Sequence, residues 1–232
     1  GGSGVAFKTG WACYEAAQDV KRQMIDRAAQ LWEASVDDVE LEDGVFQHRS
    51  DPELRLTFRE LAAMVPETGG PIVGQANLDP RGAGSAFATN IVDVEVDPET
   101  GKVAILRFTV VQDAGKAIHP SYVEGQMQGG SVQGIGWALN EEYYMSDEGQ
   151  MMNPSLLDYR MPTSLDLPMI DTVIVEVPNP GHPFGARGVG EASIVPPTPA
   201  IANAIHKAIG MRMDRLPMNP TAIMEAIWEQ GK

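Results

Sequence analysis

The chain has 232 residues, 43% of them apolar and 21% charged, with 17 basic against 32 acidic side chains and a net charge of −15. This is enough chain for one large or two small domains with real cores, and the composition excludes a disordered protein. The acidic balance argues against nucleic-acid binding through phosphate neutralisation and against a basic membrane-surface patch, and no apolar run reaches the ~18 residues of a membrane span.

No basic segment followed by an apolar one marks a secretory leader. The single cysteine, Cys13, excludes an internal disulfide and any iron–sulfur or zinc site built from this chain's cysteines alone. A cytoplasmic location fits that count. Cys13 lies in an apolar helical stretch and is expected to be a buried structural thiol.

In chain order, Gly1-Gly2-Ser3-Gly4 has the composition of a flexible linker. Trp11 to Glu33 places Ala12, Ala16, Val20, Met24, Ile25, Ala28, Leu31 and Trp32 at helical spacing and predicts a long amphipathic helix. Ser35 to Asp43 alternates acids with valine and leucine, which predicts a short strand turning at Asp43-Gly44. Thr57 with Glu60 is a capping-box pattern opening a short helix to Met64, and Val65 to Gly84 reads as loop. Ile91–Val96 and Val103–Val111 flank the turn-forming Asp97-Pro98-Glu99-Thr100-Gly101 and predict a β-hairpin. Val123 to Leu139 lacks proline but holds five glycines, which a helix carries only for a packing reason. A strand at Thr172–Val177, a loop from Pro178 to Gly190, and helices over about Pro199–Ile209 and Pro220–Trp228 follow, the last with Asn219 as cap. The expected fold is α+β, a mixed and partly antiparallel sheet packed by the long N-terminal helix and the C-terminal helices. Two subdomains, about 1–85 and 86–232, are one division of it.

Four histidines lie far apart and do not form a metal-ligand pattern. The glycines from 129 to 136 fail the dinucleotide spacing. The unusual stretch is 185–197, small residues with a single carboxylate, Glu191, at the end of the loop. Two readings of Glu191 stand side by side. Burial would raise its pKa and make it a general base, with Ile194, Val195 and the following turn limiting water. Alternatively it is an acid at a helix N-terminus.

Gly188-Val189-Gly190-Glu191, followed by Val195-Pro196-Pro197-Thr198-Pro199-Ala200-Ile201, resembles the molybdenum hydroxylases, the xanthine dehydrogenase and aldehyde oxidase family. Asp113-Ala114-Gly115-Lys116-Ala117-Ile118-His119-Pro120 is similar too, as are Glu124-Gly125-Gln126 with Gly129-Gly130 and Gln133-Gly134-Ile135-Gly136, and Asp158-Tyr159-Arg160-Met161-Pro162-Thr163. The motifs keep the family's order and correspond to the C-terminal part of its molybdopterin-binding subunit.

The resemblance implies an oxidoreductase that works only within a larger complex. It would hydroxylate an electron-poor carbon of an N-heterocycle, an aldehyde or another small molecule with oxygen from water. Glu191 would be the base, and no side chain of this chain would ligate the metal. Gly2, Ser3, Gln126 and Val189 would lie against a molybdopterin, as the mononucleotide or a cytosine dinucleotide, which gives the linker-like opening a second, native reading. Arg187 would face substrate or steer Glu191, with pairing to an acid as the structural alternative. The implied partners are the remaining molybdopterin-binding segment and the chains or domains that hold iron–sulfur clusters and FAD. A non-catalytic scaffold or degenerate interaction module of such a complex is the competing reading.

Overall fold

The computed structural model describes residues 1–80, 82 and 84–230. The chain forms two compact units, one of Lys8–Pro80 and one of Gly1–Phe7 with Arg81–Lys232.

In the smaller unit, helix α1 (Gly10–Leu31) buries Met24, Ala28 and Ala29. It packs on a three-stranded antiparallel sheet of β1 (Val39–Glu42), β2 (Val45–His48) and β3 (Arg55–Thr57). Asp43 and Gly44 join β1 to β2 with φ of 47° and 77°, the paired left-handed residues of a two-residue hairpin turn. Residues 36–38, expected as strand, form a 3-10 turn instead, because the Ser35 hydroxyl accepts the Asp37 N–H. Helix α2 (Phe58–Met64) starts at the expected capping box, with Thr57 and Glu60 bonded reciprocally. Phe46, Leu61 and Val39 complete this core.

Cys13 is exposed. Burial in α1 begins only at Met24, so the helix's first half is not part of the unit's core and the expectation of a buried thiol is overturned. The sequence suggested α1 on the sheet of the 91–111 hairpin; its buried stripe instead joins Val39, Phe46 and Leu61 of this small sheet's core.

The larger unit holds the hairpin. β4 (Ala88–Val96) and β5 (Val103–Asp113) pair antiparallel with a bulge between Asp93 and Val94. β6 (Ile170–Val175) lies parallel to β5, so the sheet is mixed, in the order β4-β5-β6. Phe108, Val110 and Gln112 point inward at the strand period of two, and the first two meet helices α3 (Pro120–Leu139), α4 (Pro197–Ile209) and α5 (Pro220–Gln230) in one core. After α3, the Tyr159 hydroxyl donates to Glu141 at 2.8 Å, and that carboxylate pushes the phenol up to about 12.

Four of the five glycines of α3 fall into two sets, while Gly136 packs against Glu141 and Pro162. A Cβ at Gly130 would collide with the Ser193 side chain, and one at Gly134 would stand 2.6 Å from Pro197. Thr198 Oγ1 also donates to the Gly134 carbonyl at 3.2 Å. These two glycines let residues 193–198 lie directly on the helix. Gly125 and Gly129 face open space, on the same side of α3 as the exposed Gln126.

Candidate active site

Docking of residues 193–198 on α3 fixes where the loop before them runs. Ser193 is fully buried, and its hydroxyl lies 3.2 Å from the Gln126 carbonyl, one helical turn before Gly130. A Cβ at Gly190 would stand 3.0 Å from Gln126 Nε2 and 3.5 Å from Ser3 Oγ. Backbone, amide and hydroxyl therefore meet closely here, and a side chain at 190 would press on the Gln126 amide.

Ser3 reaches this point from the other end of the chain. Its Oγ accepts the Glu191 N–H at 2.8 Å and donates to Glu191 Oε2 at 3.1 Å. One hydroxyl thus holds both the backbone and the side chain of the carboxylate. Ser3 has φ of 55°, a left-handed conformation that costs a non-glycine residue about 1 kcal/mol or more and persists where surrounding contacts impose it. The opening residues are thus folded onto the site rather than extended as a linker.

Glu191 itself is exposed. Among the described residues the expected apolar shelter is absent. α4 turns Pro197, Ile201 and Ile205 inward at i, i+4 and i+8, which leaves Val195 69% exposed. Glu191 stands at the N-cap position of the turn Ala192–Ile194 but makes no side-chain capping bond to it.

Arg187 is engaged with the protein. Its Nε lies 3.1 Å from Asp113 Oδ2 and 3.2 Å from the Val177 carbonyl, and Nη1 donates to the Ser85 carbonyl at 2.7 Å. Arg187 and Asp113 side chains are 14% and 10% exposed. The other oxygen of Asp113 accepts the N–H groups of Gly115 and Val177. Gly115, with φ of 63°, bridges to Ala186 where a Cβ would collide with the Gly185 carbonyl. These bonds fix residues 185–187 over the end of β5.

Two residues that the sequence reading passed over complete the frame. Gln112, 1% exposed, donates through Nε2 to the Val189 carbonyl at 2.9 Å. A polar residue at the inward-facing position after Phe108 and Val110 was the available signal. His182, buried in the same loop, was one of four scattered histidines, and spacing alone gave it no role.

A cavity of about 430 Å³ opens beside this frame, lined by Ser3, Val123, Gln126, Arg187, Val189 and Gly190 among others. The α3 face and the 178–190 loop thus share a cleft. A second space of about 300 Å³ is lined by Gly2, Ser3, Gly188, Glu191 and Val195. Ser3 lines both; Glu191 lines the smaller. Among the described residues no three His, Cys, Asp or Glu side chains converge as a metal-ligand set, and no helix is long and apolar enough to cross a membrane.

Residues 1–168, which include Ser3 and Gln126, match the family model of a molybdopterin cofactor-binding domain. The chain belongs to the molybdenum hydroxylase family. It is 35% identical over 92% of its length to the gamma subunit of the 6-hydroxypseudooxynicotine dehydrogenase complex of Paenarthrobacter nicotinovorans, covering 28% of that protein. It is also 35% identical to the xanthine dehydrogenase molybdenum-binding subunit of Escherichia coli O157:H7, over 92% of this chain and 29% of that one. In structure it resembles the Cu,Mo-CO dehydrogenase, with a TM-score of 0.83 and 27% identity over 99% of this chain and 30% of that one. This molybdopterin-binding chain spans less than a third of the curated relatives it matches.

Proposed function

We propose that this chain is the part of a molybdenum hydroxylase large subunit that carries the catalytic base, Glu191. The observation that carries the reading is the Ser3–Glu191 pair beside Gln126 and Gly190. The residues fit a pterin. The larger cavity has the volume of a small-molecule site, an exposed amide at Gln126, a hydroxyl at Ser3 and a glycine that lets a ring approach the backbone. Ser3, Gln126 and Val189 would hold the cofactor there, as a mononucleotide or a cytosine dinucleotide, with Gly2 on the side of Glu191.

The net reaction is R–H + H2O → R–OH + 2 H⁺ + 2 e⁻. A molybdenum centre bound there would supply the water-derived oxygen and take up the electron pair. Glu191 takes a proton. With Oε2 held by Ser3, Oε1 is the atom assigned to that transfer. The substrate, an N-heterocycle, an aldehyde or another small molecule with an electron-poor carbon, approaches from the smaller space that Glu191 lines. Iron–sulfur clusters and FAD, which would accept the electrons, would be held by partner chains or domains, since one cysteine cannot ligate a cluster. The remaining molybdopterin-binding segment covers Glu191 in the assembly. A reducing, cytoplasmic setting suits the lone Cys13. The scaffold reading leaves the two-point hold on Glu191 without a purpose.

Molybdenum and pterin analysis of the complex purified from its native host tests the assignment. Near-stoichiometric molybdenum and pterin per copy of this chain are expected. A complex devoid of both contradicts it.

A further inference from the structure

His182 is 5% exposed and sits between β6 and Glu191. Its Nδ1 faces two backbone donors, the N–H groups of Phe184 at 3.2 Å and Ala186 at 3.3 Å. Nδ1 is therefore an acceptor and the ring proton is on Nε2. Nε2 lies 3.2 Å from the Phe7 carbonyl and donates to it. The imidazole also packs on the Phe7 ring, with centroids 4.6 Å apart, and Phe7 is itself buried.

One ring thus joins two segments 175 positions apart in sequence. From Phe7 the chain runs back to Ser3, and from Ala186 it runs forward to Glu191. Ser3 and Glu191 then meet again through the Ser3 hydroxyl. The two contacts close a loop whose fixed ends are His182 and the Ser3–Glu191 pair. The 184–191 arm is also held by Arg187 and by the Gln112–Val189 bond, whereas Gly4, exposed Val5 and Ala6 offer little side-chain packing, so the arm from Phe7 to Ser3 is the one that His182 fixes. The left-handed φ of Ser3 requires an anchor of this kind.

The geometry points to His182 as a positioning residue for Glu191, a role that rests on the reading of Glu191 as base. The neutral imidazole holds residues 1–7 against residues 184–186, so that Ser3 arrives with its hydroxyl on the carboxylate. His182 lines neither of the two cavities. It sets the direction in which Oε1 points, and a misaimed base loses rate without losing affinity.

The test uses the complex purified from its native host. His182→Phe keeps a ring against Phe7 and removes both nitrogens. We expect kcat to fall about 10-fold or more with KM little changed, and molybdenum and pterin content to fall far less than kcat, since Gln126 and Val189 keep their places in the cavity. Amide hydrogen exchange should rise in residues 1–7 and 185–191 and stay unchanged in 103–113. His182→Gln, whose amide can reach the Phe7 carbonyl, should restore part of kcat. The Ser3→Ala/His182→Phe double variant should be no slower than the slower single variant, because both act on one contact. Additive losses, unchanged exchange in residues 1–7, or cofactor loss in step with kcat would overturn the proposal. Glu191→Gln separates the two readings. Full turnover in that variant defeats the base assignment, whereas an inactive Glu191→Gln beside a fully active His182→Phe defeats only the positioning role.

Discussion

Arg187 and Glu191 stand four positions apart and are used in opposite ways. Arg187 spends its donors on Asp113 and on the carbonyls of Val177 and Ser85, which makes it a brace for the loop. Glu191 is exposed and held through one hydroxyl, which leaves a carboxylate oxygen for chemistry. The brace predicts that Arg187→Met destabilises the chain by about 2–3 kcal/mol, somewhat below a fully buried pair because some solvent reaches this one. Arg187→Lys should recover only part of the loss, since an ammonium cannot span the same partners as the planar fork. Denaturant unfolding of the chain measures both. A loss under about 0.5 kcal/mol, the value of an exposed ion pair, would remove the bracing role.

At the scale of elements, the Gly-rich helix connects sequence to site. Gly134→Ala should cost about 1–3 kcal/mol, because the new Cβ meets Pro197 at 2.6 Å and residues 193–198 must move. Gly129→Ala should instead stabilise the isolated chain, by up to about 1 kcal/mol, since that position faces open space and alanine favours helix. Thermal unfolding of the two variants, shifted in opposite directions, checks the division; shifts of the same sign would contradict it.

Much at this scale was legible in residue order. The β4–β5 hairpin follows from alternation on both sides of a turn-forming run, and α2 follows from its capping box. Other features were not. β3 is Arg-Leu-Thr, too short to show a period. The parallel β5–β6 pairing joins strands more than fifty residues apart, which no local pattern encodes. Glu191's exposure depends on which way Val195 points, and that is decided by the inward stripe of α4. The site residues themselves were legible mainly through motif resemblance. The Ser3–Glu191 contact, 188 positions apart, needed coordinates.

At the scale of the molecule, the larger unit assembles its candidate site from two stretches far apart in sequence, residues 1–7 and 182–191, over a frame set by β5 and α3. The curated relatives are more than three times as long as the matched region. Large apolar side chains are exposed around the cleft, Ile118 and Tyr122 at its rim and Trp137 farther along α3. An exposed apolar patch of this kind marks a surface that binds another element or a ligand. On the proposed reading, the remaining segment of the subunit and the cofactor cover this surface together.

The central claim is that Glu191 is the base of a molybdopterin-dependent hydroxylation. The most direct measurement is turnover of Glu191→Gln in the assembled complex, with molybdenum and pterin quantified in the same preparation. The substitution keeps shape and hydrogen-bonding capacity toward Ser3 while removing the proton acceptor. Turnover should fall at least about 100-fold, the low end of what a positioned general base contributes, with metal and pterin content unchanged. Near-normal turnover at full cofactor loading would contradict the account.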